Sequence, residues 1–134
     1  MNQNIPKAIQ IWHTGVTHRD ASMLDTLLAD DVAMYSPVVF TPQTGKTITT
    51  VYLTAAMHVL VNDKFKYIRE VYGDTDAMLE FETELDGIYI NGIDMISWNA
   101  NNQITSFKVM VRPLQAVNKL HQLMAMMLDQ LNKK

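Results

Sequence analysis

The run 77–112 constrains the fold of this chain more than any other feature, because it contains three strand-like segments in a row. In MLEFETELDGIY, residues 78–89, Leu79, Phe81, Thr83 and Leu85 alternate with Glu80, Glu82, Glu84 and Asp86. A period of two with one apolar and one acidic side describes a strand with one dry face and one wet face. Asn91-Gly92 reads as a hairpin turn, IDMISW follows, and Ala100-Asn101-Asn102 leads into QITSFKVMVRP, so the three runs are expected to pair antiparallel. Asp94 is the anomaly. It lies among Ile93, Met95 and Ile96, where a carboxyl group needs solvent, a hydrogen-bond partner or a chemical task.

The segments before and after this run read as helices and one more strand. Ile5, Ala8, Ile9 and Trp12 recur at helical spacing over 4–14, with Gly15 expected to end or interrupt that helix. Asp20 reads as the N-cap of a second, short helix carrying Met23, Leu24, Leu27 and Leu28. A short strand over 32–35 leads to Ser36-Pro37 and an apolar loop with Val38, Val39 and Phe40, a candidate pocket lip. Residues 46–61 are again helical. Residues 65–72 form a strand with Phe65, Tyr67 and Val71 on one face and Lys66, Ile68, Glu70 and Tyr72 on the other. From Leu114 to Leu131 a broad apolar stripe marks a final helix able to dock on a sheet or a partner.

Composition narrows the function classes. A chain of 134 residues, 48% hydrophobic and 19% charged, fits one globular domain over 1–134. A net charge of −3 without a basic cluster gives no reason to expect nucleic acid. With no cysteine, disulfides, thiolate catalysis and cysteine-bound metal drop out. No apolar run approaches the ~20 residues of a membrane span, and the start lacks the pattern of a secretory signal, so a soluble, cytoplasmic protein is expected. There is no phosphate-cradling or dinucleotide fingerprint and no paired-histidine motif; the expectation is no cofactor and no metal.

Trp12, Tyr35, Tyr52, Tyr67, Phe81 and Trp98 come from different elements and are the aromatic candidates for an apolar pocket, with ordinary core packing as the plain alternative. Asp94 and Arg112 are the candidate catalytic residues. Burial alone would favour neutral Asp94, whereas pairing with Arg112 would favour its charged form. Arg112 shares its alternation with Lys108 and Met110, which argues for a wet face or an interface on that side of the strand.

The order of elements, together with LLADDVAMYSP at 27–37, SPVVFTPQTGK after it and NGIDMISWN before ITSFKV, resembles the nuclear-transport-factor-2-like, or SnoaL-like, family. That resemblance implies an α+β cone: a curved, mainly antiparallel sheet with covering helices. Within the family, the arrangement looks like ketosteroid isomerase, where a helix tyrosine and a strand acid support an oxyanion and an aspartate shuttles the proton. Asp94 matches the strand acid, Trp12 stands at the tyrosine position and Ser36 at the position of the shuttling aspartate. A serine without an activating partner does not abstract that proton near neutral pH. The resemblance extends to the limonene-epoxide-hydrolase branch, in which Asp94 and Arg112 would supply a carboxylate and a positioning charge, and to polyketide cyclases. The leading expectation is a pocket protein for a small apolar or carbonyl-containing ligand, with Ser36 also on the pocket. The alternatives are an isomerase, cyclase or epoxide-hydrolase-like enzyme and a non-enzymatic dimerisation module. A second copy docked through sheet faces is the expected partner.

Overall fold

A computed structural model describes residues 4–132; the ends of the expected 1–134 domain lie outside the described residues. Helix α1 (Lys7–Thr17) is followed by a 3-10 turn (Ala21–Met23), a single-turn α2 (Leu24–Leu27), strand β1 (Leu28–Tyr35), the two-residue β2 (Gln43–Thr44) and helix α3 (Lys46–Leu60). Strands β3 (Lys66–Tyr72), β4 (Asp76–Leu85), β5 (Ile88–Trp98) and β6 (Ile104–Arg112) precede helix α4 (Leu114–Asn132). Asp20 caps the 3-10 turn as its sequence suggests, accepting from the Ser22 backbone N–H at 3.0 Å. Gly15 does not end α1, which continues to Thr17 while Trp12 and Val16 bury beneath it. Packing of that face outweighs the modest helix penalty of one glycine.

The six strands form one sheet in the order β2-β1-β6-β5-β4-β3. Only β1 and β6 run parallel; every other pair is antiparallel. The inner face carries Ala77, Leu79, Phe81, Thr83 and Leu85 from β4 and Ile90, Asp94, Ile96 and Trp98 from β5, all buried. Alternate residues Glu80, Glu82 and Glu84 lie on the other face, in agreement with the period-two reading. Among the described residues, no helix is long and apolar enough to cross a membrane.

Two expectations about the strands need correction. Asn91-Gly92 is not a turn: β5 runs straight through it, and the β4–β5 hairpin turns at Asp86-Gly87. Both turn residues have positive φ, 50° and 80°, as a two-residue turn of this twist demands. Gly92 is instead a packing glycine. A Cβ there would come within 2.4 Å of the Phe81 ring and 2.8 Å of the Met110 carbonyl oxygen, so the missing side chain is what lets Phe81 lie across β5.

The second correction concerns β3, whose alternation breaks. Tyr67 pairs with Phe81, but Arg69 pairs with Glu80 and Glu70 with Leu79, so the register slips between Tyr67 and Arg69. A bulge moves every later side chain to the opposite face. Glu70 and Tyr72 therefore join Tyr67 on the inner side, and Val71 is turned outward, 57% exposed.

Candidate functional site

The concave side of the sheet holds a partly open cavity of about 190 Å³. Trp12 and Val16 of α1, Leu53, Met57 and Leu60 of α3, and Leu120, Met124 and Leu128 of α4 supply the helical wall. The spacing of three or four in each set places those side chains on one helix face. Phe81, Asp94, Phe107 and Val109 supply the sheet side, and 36–39 the loop side. Asp94 reaches this wall because it stands opposite Leu79 on β4 and Val109 on β6, in the inward phase of three adjacent strands.

The aromatic residues around Asp94 hold one another. Trp12 tilts on Phe107 with ring centres 4.9 Å apart, Phe65 stacks on Phe81 at 5.4 Å, and Tyr67 meets Phe65 edge-on at 5.1 Å. Between them runs a one-way chain of hydrogen bonds. Trp12 Nε1 donates to the Tyr67 hydroxyl oxygen at 2.8 Å, and that hydroxyl donates to Asp94 Oδ2 at 2.6 Å. An indole N–H can only donate, so it sets the direction of the whole chain. Asp94 Oδ1 has no hydrogen bond among the described residues and is the end of the chain that is left to the cavity.

Burial dominates the electrostatics. Asp94 is 6% exposed, and burial raises its pKa to about 7 although the Tyr67 hydrogen bond pulls the other way. Tyr67 is pushed well above the usual tyrosine range, first by burial and then by the Asp94 carboxylate. Of the two protonation outcomes left open by the sequence, the one driven by desolvation prevails. On the other side of Tyr67, His13 Nε2 lies 2.7 Å from Glu70 Oε1, and the Tyr72 hydroxyl donates to the same oxygen at 2.5 Å. Tyr67 also lines a neighbouring polar groove of about 430 Å³ that contains His13, Arg19 and Asp63.

The structure brings together Trp12, Ser36, Tyr52, Tyr67, Phe81 and Asp94 around one cavity. It does not bring Arg112 there. Arg112 pairs with Asn91 at the end of β6, exposed and in the outward phase of the strand, so it is no partner for Asp94. Tyr35 is likewise turned away, because Met34 takes the inward phase of β1; the Tyr35 ring lies under Lys108 Nζ at 5.0 Å. Trp98 is buried but pairs with Ile104 at the far end of β5 and packs in the core outside the cavity. Two sheet residues of the lining, Phe107 and Val109, were not singled out by sequence. The helical repeat Leu120, Met124 and Leu128 was the available signal for the α4 wall. Ser36 Oγ accepts from the Val38 backbone N–H at 3.1 Å, a local turn contact. Among the described residues, Asp94 is the only carboxylic acid on the cavity wall, and no cluster of three or more histidines and acids could hold a metal ion.

No family model and no curated protein matches the chain. Solved structures do. A steroid delta-isomerase from Pseudomonas aeruginosa is 30% identical and superposes with a TM-score of 0.87 over 92% of this chain and 90% of its own. A protein conserved in bacteria with a cystatin-like fold, from Silicibacter pomeroyi DSS-3, is 27% identical with a TM-score of 0.85 over 92% and 86%. An NTF2-like protein of unknown function from Mesorhizobium loti, 12% identical with a TM-score of 0.70 over 80% and 89%, shares the fold.

Proposed function

The chain belongs to the NTF2-like, or SnoaL-like, superfamily, and from that membership we propose that its cavity binds a small, mainly apolar molecule through one oxygen placed against the Asp94 carboxyl group. The observation that carries this reading is the Trp12–Tyr67–Asp94 chain, which ends at an unpartnered carboxyl oxygen inside an apolar cavity. Neutral Asp94 donates to a carbonyl oxygen, and ionised Asp94 accepts from a hydroxyl. With its pKa raised to about 7, both forms are populated near neutrality. Apolar walls with a few convergent polar atoms are the usual make-up of a small-molecule site.

The likeness to a steroid delta-isomerase makes proton transfer the second reading. A shuttle needs a base beside the reacting carbon as well as an acid at the oxygen. Ser36, at the position of that base, has its Oγ engaged by Val38 and no basic partner among its hydrogen bonds. Binding is therefore favoured over isomerisation. The Trp12 indole N–H resonance provides the test, since it reports the chain of hydrogen bonds directly. Titration with small cyclic ketones should shift it saturably, and Asp94→Leu should abolish the shift in a folded protein. An unmoved resonance across the panel would sink the reading.

The outer sheet face favours a homodimer. Val71, Met78 and Met110 are 57%, 48% and 53% exposed there, and adjacent strands bring Met78, Met95 and Lys108 into one row and Glu80, Ile93 and Met110 into the next. An apolar centre edged by Glu80, Glu82, Lys108 and Arg112 is self-complementary in charge about a two-fold axis. Sedimentation should give a dimer, and Met110→Glu a monomer with the cavity unchanged. A monomeric parent chain would end this part of the proposal.

A further inference from the structure

The dimensions of the cavity, combined with what its walls are made of, say how large the ligand can be. We infer that the cavity is built for a compact neutral molecule of one ring with short substituents and an oxygen placed against Asp94, and that it excludes a fused four-ring steroid. The inference rests on the pocket reading above and adds the size class of the ligand.

A dry cavity of roughly 150 Å³ takes one benzene ring, whereas sites for drug-sized molecules run from roughly 300 to 1,000 Å³. At about 190 Å³ this cavity belongs with the first. The Asp94 end cannot widen at small cost, because Trp12 is held by Phe107 and by its bond to Tyr67, and Phe81 by Phe65. Phe81 is also seated over Gly92, so it has no room to retreat without losing that contact. The pliable walls are Met57 and Met124 on the helices and Met34 on β1, and flexible thioethers give way by a methyl group more readily than by a ring. The polar atoms restrict the ligand further. Trp12 spends its donor on Tyr67 and Tyr67 spends its own on Asp94, so at this end of the cavity Asp94 is the group that meets a ligand oxygen.

A series of ketones with constant chemistry and increasing size tests this: cyclohexanone, 1-decalone and androst-4-ene-3,17-dione, each followed by the Trp12 indole N–H resonance. In an open apolar site the larger ketones would bind more tightly, since each added methylene removes more surface from water. The inference requires the reverse order. Cyclohexanone should saturate, 1-decalone should bind at least tenfold more weakly, and the steroid should give no saturable shift up to its solubility limit. Met124→Ala should bring 1-decalone closer to cyclohexanone by enlarging the pliable wall; the parent series stands without that variant if it folds poorly. Tighter binding by the steroid overturns the size inference and leaves the pocket reading standing. No response to any of the three removes both.

Discussion

Two tyrosine–carboxylate pairs are anchored on β3, and the difference between them shows how this fold separates structure from a potential site. Tyr67 donates to Asp94 at 2.6 Å and Tyr72 donates to Glu70 at 2.5 Å, so the primary contact is the same. Their surroundings differ. Asp94 is 6% exposed and sits among apolar walls, while the Glu70 side chain is 21% exposed and takes His13 as a second donor at 2.7 Å. A carboxylate with two donors and access to water is a satisfied group, whereas one with a single donor and an open cavity in front of it has chemistry to spare. The lesson is that the second donor and the water, and not the tyrosine, distinguish a structural carboxylate from a candidate binding group.

The largest expected effect tests whether burial governs Asp94. Its folded pKa of about 7 lies above the ordinary 3.8, so the folded state holds a proton that the unfolded chain has lost. The stability this contributes is fully present below pH 3.8 and is lost as pH rises through about 7, a swing on the order of 4 kcal/mol. Asp94→Asn carries no such titration. The stability of the variant minus that of the parent, from denaturant unfolding at each pH, should rise between pH 4 and 7 and then level off. A flat difference would put Asp94 in water and erase the contrast with Glu70.

Tyr67→Phe comes next in size. It strips Trp12 Nε1 of its acceptor and Asp94 of its donor at once, leaving two buried polar groups unpaired, at a cost on the order of 3 kcal/mol. Because the Tyr67 bond lowers the Asp94 pKa, its loss should move that pKa further up, a direction readable from the carboxyl carbon shift in an NMR titration. A downward move would mean that a new donor had replaced the tyrosine.

How much of this could be read in the chain follows from which signals are local. The β4 alternation and the Asp20 cap depend on neighbours in sequence, and they are legible; Asp94 stands out as a carboxyl group among apolar neighbours, but its inward face is set by pairing with Leu79 and Val109. The β3 bulge depends on how β3 registers against β4, which leaves no mark on residues 65–72; unbroken alternation therefore turned Glu70 outward. Asn91-Gly92 carried a turn signature, yet the demand of the Phe81 ring for space put that glycine inside a strand. Arg112 was joined to Asp94 by chemistry alone. Counting positions along β5 and β6 from an assumed pairing would have shown them on opposite faces, but the pairing was not available from one sequence.

The smallest effect is the most pointed test of the comparison. Tyr72→Phe removes the same type of hydrogen bond as Tyr67→Phe, and burial followed by the Glu70 bond raises the Tyr72 pKa to about 12, so the hydroxyl stays protonated in both. Glu70 keeps His13, and water can reach the vacated oxygen, so nothing is left buried without a partner. The cost should stay below about 1 kcal/mol. Thermal unfolding of the two phenylalanine variants side by side would reveal the ranking. If Tyr72→Phe were as damaging as Tyr67→Phe, the hydroxyl itself would be what matters in each pair, and the dryness around Asp94 would lose its standing as the feature that marks the cavity.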